Sequence, residues 1–149
     1  HKSPIFVTST DFCFKNKNYL FKKYSSKKFN IVFVCKPKKE MTKFPQYYGW
    51  VRVKKNGDII KISCKKKIPG NSTNDKIILG AFYFTSFEYY LKYYKKLVKK
   101  KILVNKEYYI DMVMEIIRKK KKVKIINIDK FINWGTPYEY EKNKNKILS

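Results

Sequence analysis

IILGAFYF, residues 77–84, decides the fold. The run is apolar, of strand length, and rich in β-branched and aromatic residues, so it reads as a buried strand. Gly80 inside it marks either a bulge or a point where another backbone or a ligand comes close. Directly after it, Ser86 suits a helix N-cap. From there to residue 101 an apolar stripe recurs at helical spacing: Phe87, Tyr90, Leu91, Tyr94, Leu97 and Val98. A buried strand feeding an amphipathic helix is the repeating unit of α/β layer architectures.

Working outward toward the C-terminus, a second helix is predicted over 107–119, with Tyr109, Met112, Val113, Ile116 and Ile117 as its stripe. A strand follows over 123–128 and a short one over 131–134. Thr136 starts a terminal helix that frays from Lys142 onward. Toward the N-terminus, 48–54 and 58–63 are strand-like runs around Asn56-Gly57, a hairpin signal because both residues tolerate positive φ. Residues 65–75 hold Pro69, Gly70, Asn71, Ser72 and Asn74 and read as a loop. Residues 30–35 form a continuous apolar strand, with Pro37 and Pro45 as breakers after it. Residues 15–29 suggest a short irregular helix. Residues 4–8 form a short buried strand, and Asp11 follows it. No internal repeat or linker is present, so 1–149 is expected to be one domain. In such sheets ligands bind beyond the strand carboxyl ends. Asp11, Lys65 and Asn133 each lie just after a predicted strand or at its end, and are expected to share one rim.

Composition sets limits on function. A domain near 149 residues buries roughly 70% of its unfolded surface, enough for a core. The net charge of +25 would suit disorder, but 44% hydrophobic and 17% aromatic residues exclude it. No apolar run approaches the roughly 20 residues of a membrane span, and no leader is visible. The chain opens on His1 instead of Met, so upstream residues are expected to be absent. His1 is the one histidine, and Cys13, Cys35 and Cys64 are widely spaced. A structural zinc site lacks ligands, a disulfide framework is not expected from three scattered cysteines, and one terminal His nearly excludes Ser–His or Cys–His catalysis. A reducing, cytoplasmic setting is the simpler expectation. The charge has two readings. One is a polyanion-binding surface, including a non-catalytic nucleic-acid-binding protein. The other is a lysine-biased solvated surface. Of 36 basic residues only Arg52 and Arg118 are arginine, the side chain that specific base and phosphate recognition favours.

The segments YGWV, NGDIIKIS, LGAFYF, VNKEYYID and INWGTPYEY, in that order from Tyr48 to Tyr140, resemble bacterial sugar-phosphate nucleotidyltransferases, also called nucleotide-sugar pyrophosphorylases. PIFVTSTDF is similar to that family's central strand, which ends in a metal-binding Asp. The likeness covers nearly the whole chain, with residues 15–46 matching loosely. It implies a Rossmann-like mixed α/β sheet flanked by helices. It further implies transfer of a nucleotidyl group from a nucleoside triphosphate to a sugar-1-phosphate, for polysaccharide or glycoconjugate synthesis. The family's Gly-rich triphosphate loop, with its Arg and Lys, has no counterpart among the five dispersed glycines. The chain therefore resembles the sugar-binding portion, an incomplete nucleotidyltransferase domain. A degenerate member that binds sugar phosphate without turnover is an alternative.

The resemblance implies a role for each matching position. Asp11 and Lys65 are the catalytic candidates, and Asp11 with Asn133 would hold Mg²⁺. Lys65 would contact the sugar phosphate, Gly80 would let the sugar approach the strand, and Glu107 with Tyr109 would meet its hydroxyls. The family's Glu before that lysine is Cys64 here. Plain structural roles stand beside these: turns for Asp11 and Asn133, a solvated charge run for Lys65-Lys66-Lys67, and core packing for Tyr109 and Trp50. Glu107 and Asp111 sit i,i+4 at a predicted helix start, where carboxylates favour the dipole, and Asp111 is read mainly that way.

Overall fold

The computed structural model describes residues 2–14, 18–70, 72–135 and 137–147. Among these residues, eight strands and five α-helices follow in chain order. They are β1 (Ile5–Thr8), β2 (Phe12–Phe14), α1 (Asn18–Ser26), β3 (Asn30–Cys35), α2 (Lys39–Lys43), β4 (Gly49–Val53), β5 (Ile59–Cys64), β6 (Asp75–Phe84), α3 (Phe87–Lys99), α4 (Ile110–Arg118), β7 (Val123–Asn127), β8 (Phe131–Asn133) and α5 (Pro137–Ile147). A 3-10 turn at Pro45–Tyr47 precedes β4.

The main sheet is mixed, in the order β5-β4-β6-β3-β7. β6 runs antiparallel to β3, β4 and β1, and β3 pairs parallel with β7. β2 and β8 form a separate antiparallel ribbon. Every residue of β3 is buried, as befits a strand covered on both faces. Its side chains alternate between two cores. Val32 and Val34 join Phe82, Phe84 and the buried residues of α3 and α4. Ile31, Phe33 and Cys35 join Trp50, Ile77 and Ile126, against which Phe12, Phe14 and Phe21 pack.

Several expectations hold in detail. Ser86 caps α3, accepting from the Tyr89 N–H at 3.1 Å. Trp50 is core, and its indole N–H donates to the Pro45 carbonyl at 3.0 Å. The hairpin at Asn56-Gly57 forms with Gly57 alone at positive φ, +82°, and the ladder slips between Arg52 and Val53. The chain thus uses a three-residue turn with a bulge, where two residues at positive φ were expected.

Others are corrected. β1 is half exposed, with Phe6 at 48%, because it pairs only with β6 and lies at an edge. The stripe of α3 is rotated: Tyr93 and Leu97 are the buried residues, while Phe87 and Val98 are exposed. Sequence spacing fixes a stripe's period, but the packing partner fixes its centre. α4 begins at Ile110, three residues later than expected, because Val104 to Glu107 form a tight reverse turn. Asn105 and Lys106 carry it at φ +49° and +66°. α5 continues to Ile147 past the expected fraying point. α2 and the 3-10 turn occupy a segment expected to be loop. The expected helix start at Thr136, residues 15–17 of the expected irregular helix, and Asn71 of the loop lie outside the described residues. No helix among those described is long and apolar enough to cross a membrane.

Candidate functional site

β6 has ten residues and takes two partners along one edge. β4 pairs with Asp75 to Ile78 and β1 with Ala81 to Phe84, so Leu79 and Gly80 fall in the break between them. Opposite the break the β3–β6 ladder slips between Val32 and Val34. Gly80 sits at φ +68°, and a Cβ there would stand 3.3 Å from Ser9 Cβ. The two readings of this glycine, bulge and close approach, therefore both apply. The Ser9 N–H donates to the Gly80 carbonyl at 3.1 Å, which ties the exit of β1 to this point. A cleft of about 340 Å³ opens here, floored by Ile77, Ile78, Leu79 and Gly80.

Two groups of side chains line it. The first comes from the β1–β2 turn and the β2–β8 ribbon: Ser9, Asp11, Phe12, Phe131 and Asn133. Pairing of Phe12 with Asn133 sets the two strands in register. The Trp134 N–H donates to the Asp11 carbonyl at 2.8 Å, and its indole donates to Thr10 O at 3.1 Å. The β1–β2 turn with Asp11 and the exit of β8 with Asn133 are thereby held side by side. A Cβ on Gly135 would stand 2.7 Å from Asp11 Oδ2 and 3.4 Å from Asn133 Oδ1, so both oxygens face the same small space. Asn133 Nδ2 donates to Glu139 at 2.9 Å and Oδ1 accepts from the Gly135 N–H at 3.1 Å, which fixes the orientation of the amide. The Ser9 hydroxyl donates to the other Asp11 oxygen. The donor set is thus one carboxylate and one amide oxygen, hard ligands that suit Mg²⁺ completed by water or phosphate. Among the described residues no three His, Cys, Asp or Glu side chains gather into a metal-binding group.

The second group comes from the ends of β4 and β5 and the approach to α4: Tyr47, Tyr48, Gly49, Lys65, Tyr109 and Asp111. Lys65 follows β5 in the left-handed region, φ +55°. Its ammonium donates to the Tyr47 carbonyl at 3.1 Å and lies 5.6 Å from the centre of the Tyr109 ring. The phenol of Tyr109 donates to Glu107, and that bond together with burial pushes the phenol up to about 12. Glu107 itself is exposed and does not line the cleft; it reaches it only through Tyr109. Because Glu107 precedes α4, it and Asp111 do not share a helical face. Asp111, at the start of α4, points its carboxyl at Gly49 and bonds the Cys64 thiol. Burial pushes the Asp111 carboxyl up to about 6, with Cys64 and Lys65 pulling it partly back. Burial, and then the Asp111 charge, push the Cys64 thiol well above its ordinary value.

Asp11, Lys65, Gly80, Tyr109 and Asn133 therefore lie about one cleft. Sequence reasoning missed Ser9, Gly49 and the cleft position of Asp111. The signal for Asp111 was a glycine, Gly49, opening a strand beside the aromatic pair Tyr47-Tyr48, which left room for a side chain from elsewhere.

No protein-family model matches the chain, and no curated protein matches it in sequence. Solved structures do match in fold. A nucleoside-diphosphate-sugar pyrophosphorylase from Vibrio cholerae RC9 matches at TM-score 0.73 and 20% identity, over 93% of this chain and 55% of that one. A UDP-glucose pyrophosphorylase complexed with UDP-glucose matches at TM-score 0.73 and 17% identity, over 99% and 56%. A UTP-bound UGPase from Acinetobacter baumannii matches at TM-score 0.71 and 11% identity, over 98% and 51%. The chain spans about half the length of these structures, and what it shares with them is the nucleotidyltransferase-like fold.

Proposed function

We propose that this chain is part of a larger nucleotidyltransferase domain and supplies its sugar-phosphate site. The reaction would join a sugar-1-phosphate to a nucleoside triphosphate, giving a nucleoside-diphosphate sugar and pyrophosphate. One observation carries the reading. A pair of hard oxygens, from Asp11 and Asn133, shares a cleft with a lysine at the exit of β5, at a break in a sheet of nucleotidyltransferase-like fold.

The chemistry needs no covalent enzyme intermediate. A phosphate oxygen of the sugar-1-phosphate attacks the α-phosphorus in line, the bond to the β-phosphate bridging oxygen breaks, and pyrophosphate leaves. The protein's work is positioning and charge neutralisation. Lys65 supplies a point charge for the sugar phosphate. Gly80 keeps the β6 backbone clear of any side chain, so a sugar ring can lie against it. Tyr109, held by Glu107, offers a ring face and a fixed phenol. Asp11 and Asn133 would hold Mg²⁺, which when bound shields the phosphate oxygens.

The test is pyrophosphate release. The complete domain, this chain together with the part that binds the triphosphate, is expected to release pyrophosphate from one pairing of a nucleoside triphosphate with a hexose-1-phosphate in the presence of Mg²⁺, and Lys65→Ala to lower kcat/KM at least about tenfold. If no pair releases pyrophosphate and no sugar phosphate raises the melting temperature, the reading is wrong. Stabilisation without release would instead leave a binding protein that does not turn over.

A further inference from the structure

We propose that Asp111, at the start of α4, is the carboxylate that receives ligand hydroxyl groups in this cleft. The inference rests on the reading of the cleft as a site for a phosphorylated polyol such as a hexose phosphate.

Geometry supports it from three sides. Asp111 lines the cleft while its carboxyl fills the space that Gly49 leaves; even its Cγ would lie 3.0 Å from a Cβ there. A side chain on β4 at this point would expel the carboxyl, so the glycine and the aspartate are one device. The donors to Asp111 are its own backbone N–H and the Cys64 thiol, the latter a poor hydrogen-bond donor. The neighbouring cation, Lys65, spends a donor on the Tyr47 carbonyl and lies over the Tyr109 ring. A carboxylate has about four lone-pair sites, and the helix start favours its charge. A half-buried acceptor at the wall of the cleft, with lone pairs to spare, gains from ligand hydroxyl donors, and a ligand lacking them is rejected.

The groups that face Asp111 are Cys64 and Lys65 at the end of β5 and Tyr109 ahead of α4, with Glu107 acting through Tyr109. Burial pushes the carboxyl up to about 6, so near neutral pH it is ionised and accepts on both oxygens.

Calorimetric titration decides the matter. The whole chain, as wild type, Asp111→Asn and Asp111→Ala, is titrated with hexose-1-phosphates, their single deoxy analogues and inorganic phosphate. Melting temperatures confirm that the variants fold. Both variants are expected to bind the preferred hexose-1-phosphate about tenfold to a hundredfold more weakly. Inorganic phosphate should bind all three proteins within about twofold. One deoxy analogue should lose affinity on the wild type and almost none on the variants. Equal affinity of wild type and variants for the hexose phosphate, or an equal loss for inorganic phosphate, overturns the role of Asp111 and leaves the cleft reading standing. A wild type that binds no hexose phosphate more tightly than inorganic phosphate overturns the cleft reading, and this inference with it.

Discussion

Asp11 Oδ2 and Asn133 Oδ1 both border the space over Gly135, although they come from opposite ends of the chain. A Cβ at Gly135 would be 2.7 Å from the first oxygen and 3.4 Å from the second. Both oxygens face one space because Phe12 and Asn133 pair in the β2–β8 ribbon and Trp134 bonds back to Asp11. Gly135→Ala is therefore expected to turn the Asp11 carboxylate aside. The site is exposed, so stability should change by no more than about 0.5 kcal/mol. Divalent-cation affinity, read by Mn²⁺ titration, should fall about tenfold or more. A variant that binds Mn²⁺ as wild type does would show that the two oxygens do not act together.

Asp111 sets a pH dependence of stability. Its carboxyl, ordinarily near 3.8, is pushed up to about 6 in the fold. Between those values the folded state holds a proton that the unfolded state has lost. Stability therefore falls as pH rises through this window, and the penalty is complete above it. Asp111→Asn removes the penalty, so the variant should be more stable than wild type by about 2 kcal/mol at pH 7 and about equal at pH 4. Urea unfolding at the two pH values checks the sign. A variant less stable at pH 7 than at pH 4, relative to wild type, would contradict the burial of this group.

The layer architecture was legible because its signals are local. The apolar runs of β3 and β6, the Ser86 cap and the Asn-Gly turn each report through neighbouring residues. The rim was legible in part for the same reason: Asp11, Lys65 and Asn133 stand at strand exits, and strand exits are readable. What stayed hidden depends on contacts across the fold. Glu115 is buried, accepting from the Ile62 N–H at 2.8 Å and pairing with Arg118, a placement that no local pattern announces. The break in the edge of β6 arises because β4 and β1 share that edge, which no periodicity encodes. The placement of Glu107 failed by three residues, because a turn at Asn105-Lys106 used positive φ at two residues that are not glycine.

Arg52 holds the loop behind the cleft. Its Nε and Nη2 donate to the two oxygens of buried Asp75 at 2.7 and 2.9 Å. Its remaining donors reach the carbonyls of Ile68, Pro69 and Gly70 at 3.2, 2.8 and 3.0 Å. A lysine cannot reproduce this planar fork. Arg52→Lys is expected to lower stability and Arg52→Ala to lower it further, since each leaves Asp75 under-served. Denaturant unfolding measures both, and midpoints unchanged from wild type would mean that the loop finds its own anchors.

The charge of +25 should give polyanion binding without selectivity. Sequence-specific readout prefers the arginine fork, and both arginines are engaged within the fold. Arg52 is tied to Asp75 and three carbonyls, and Arg118 to Glu115. The lysines lie on α1, α2, α3 and α5 and in the turn after α4, and each is a point charge without the planar fork. Affinity for duplex DNA is expected to fall about a thousandfold between 50 and 200 mM salt, with no preference among sequences. Fluorescence anisotropy on several unrelated duplexes checks this. An affinity that persists at 200 mM salt and ranks the duplexes would favour a nucleic-acid-binding protein over the sugar-phosphate reading, because it would need recognition beyond the attraction of charge.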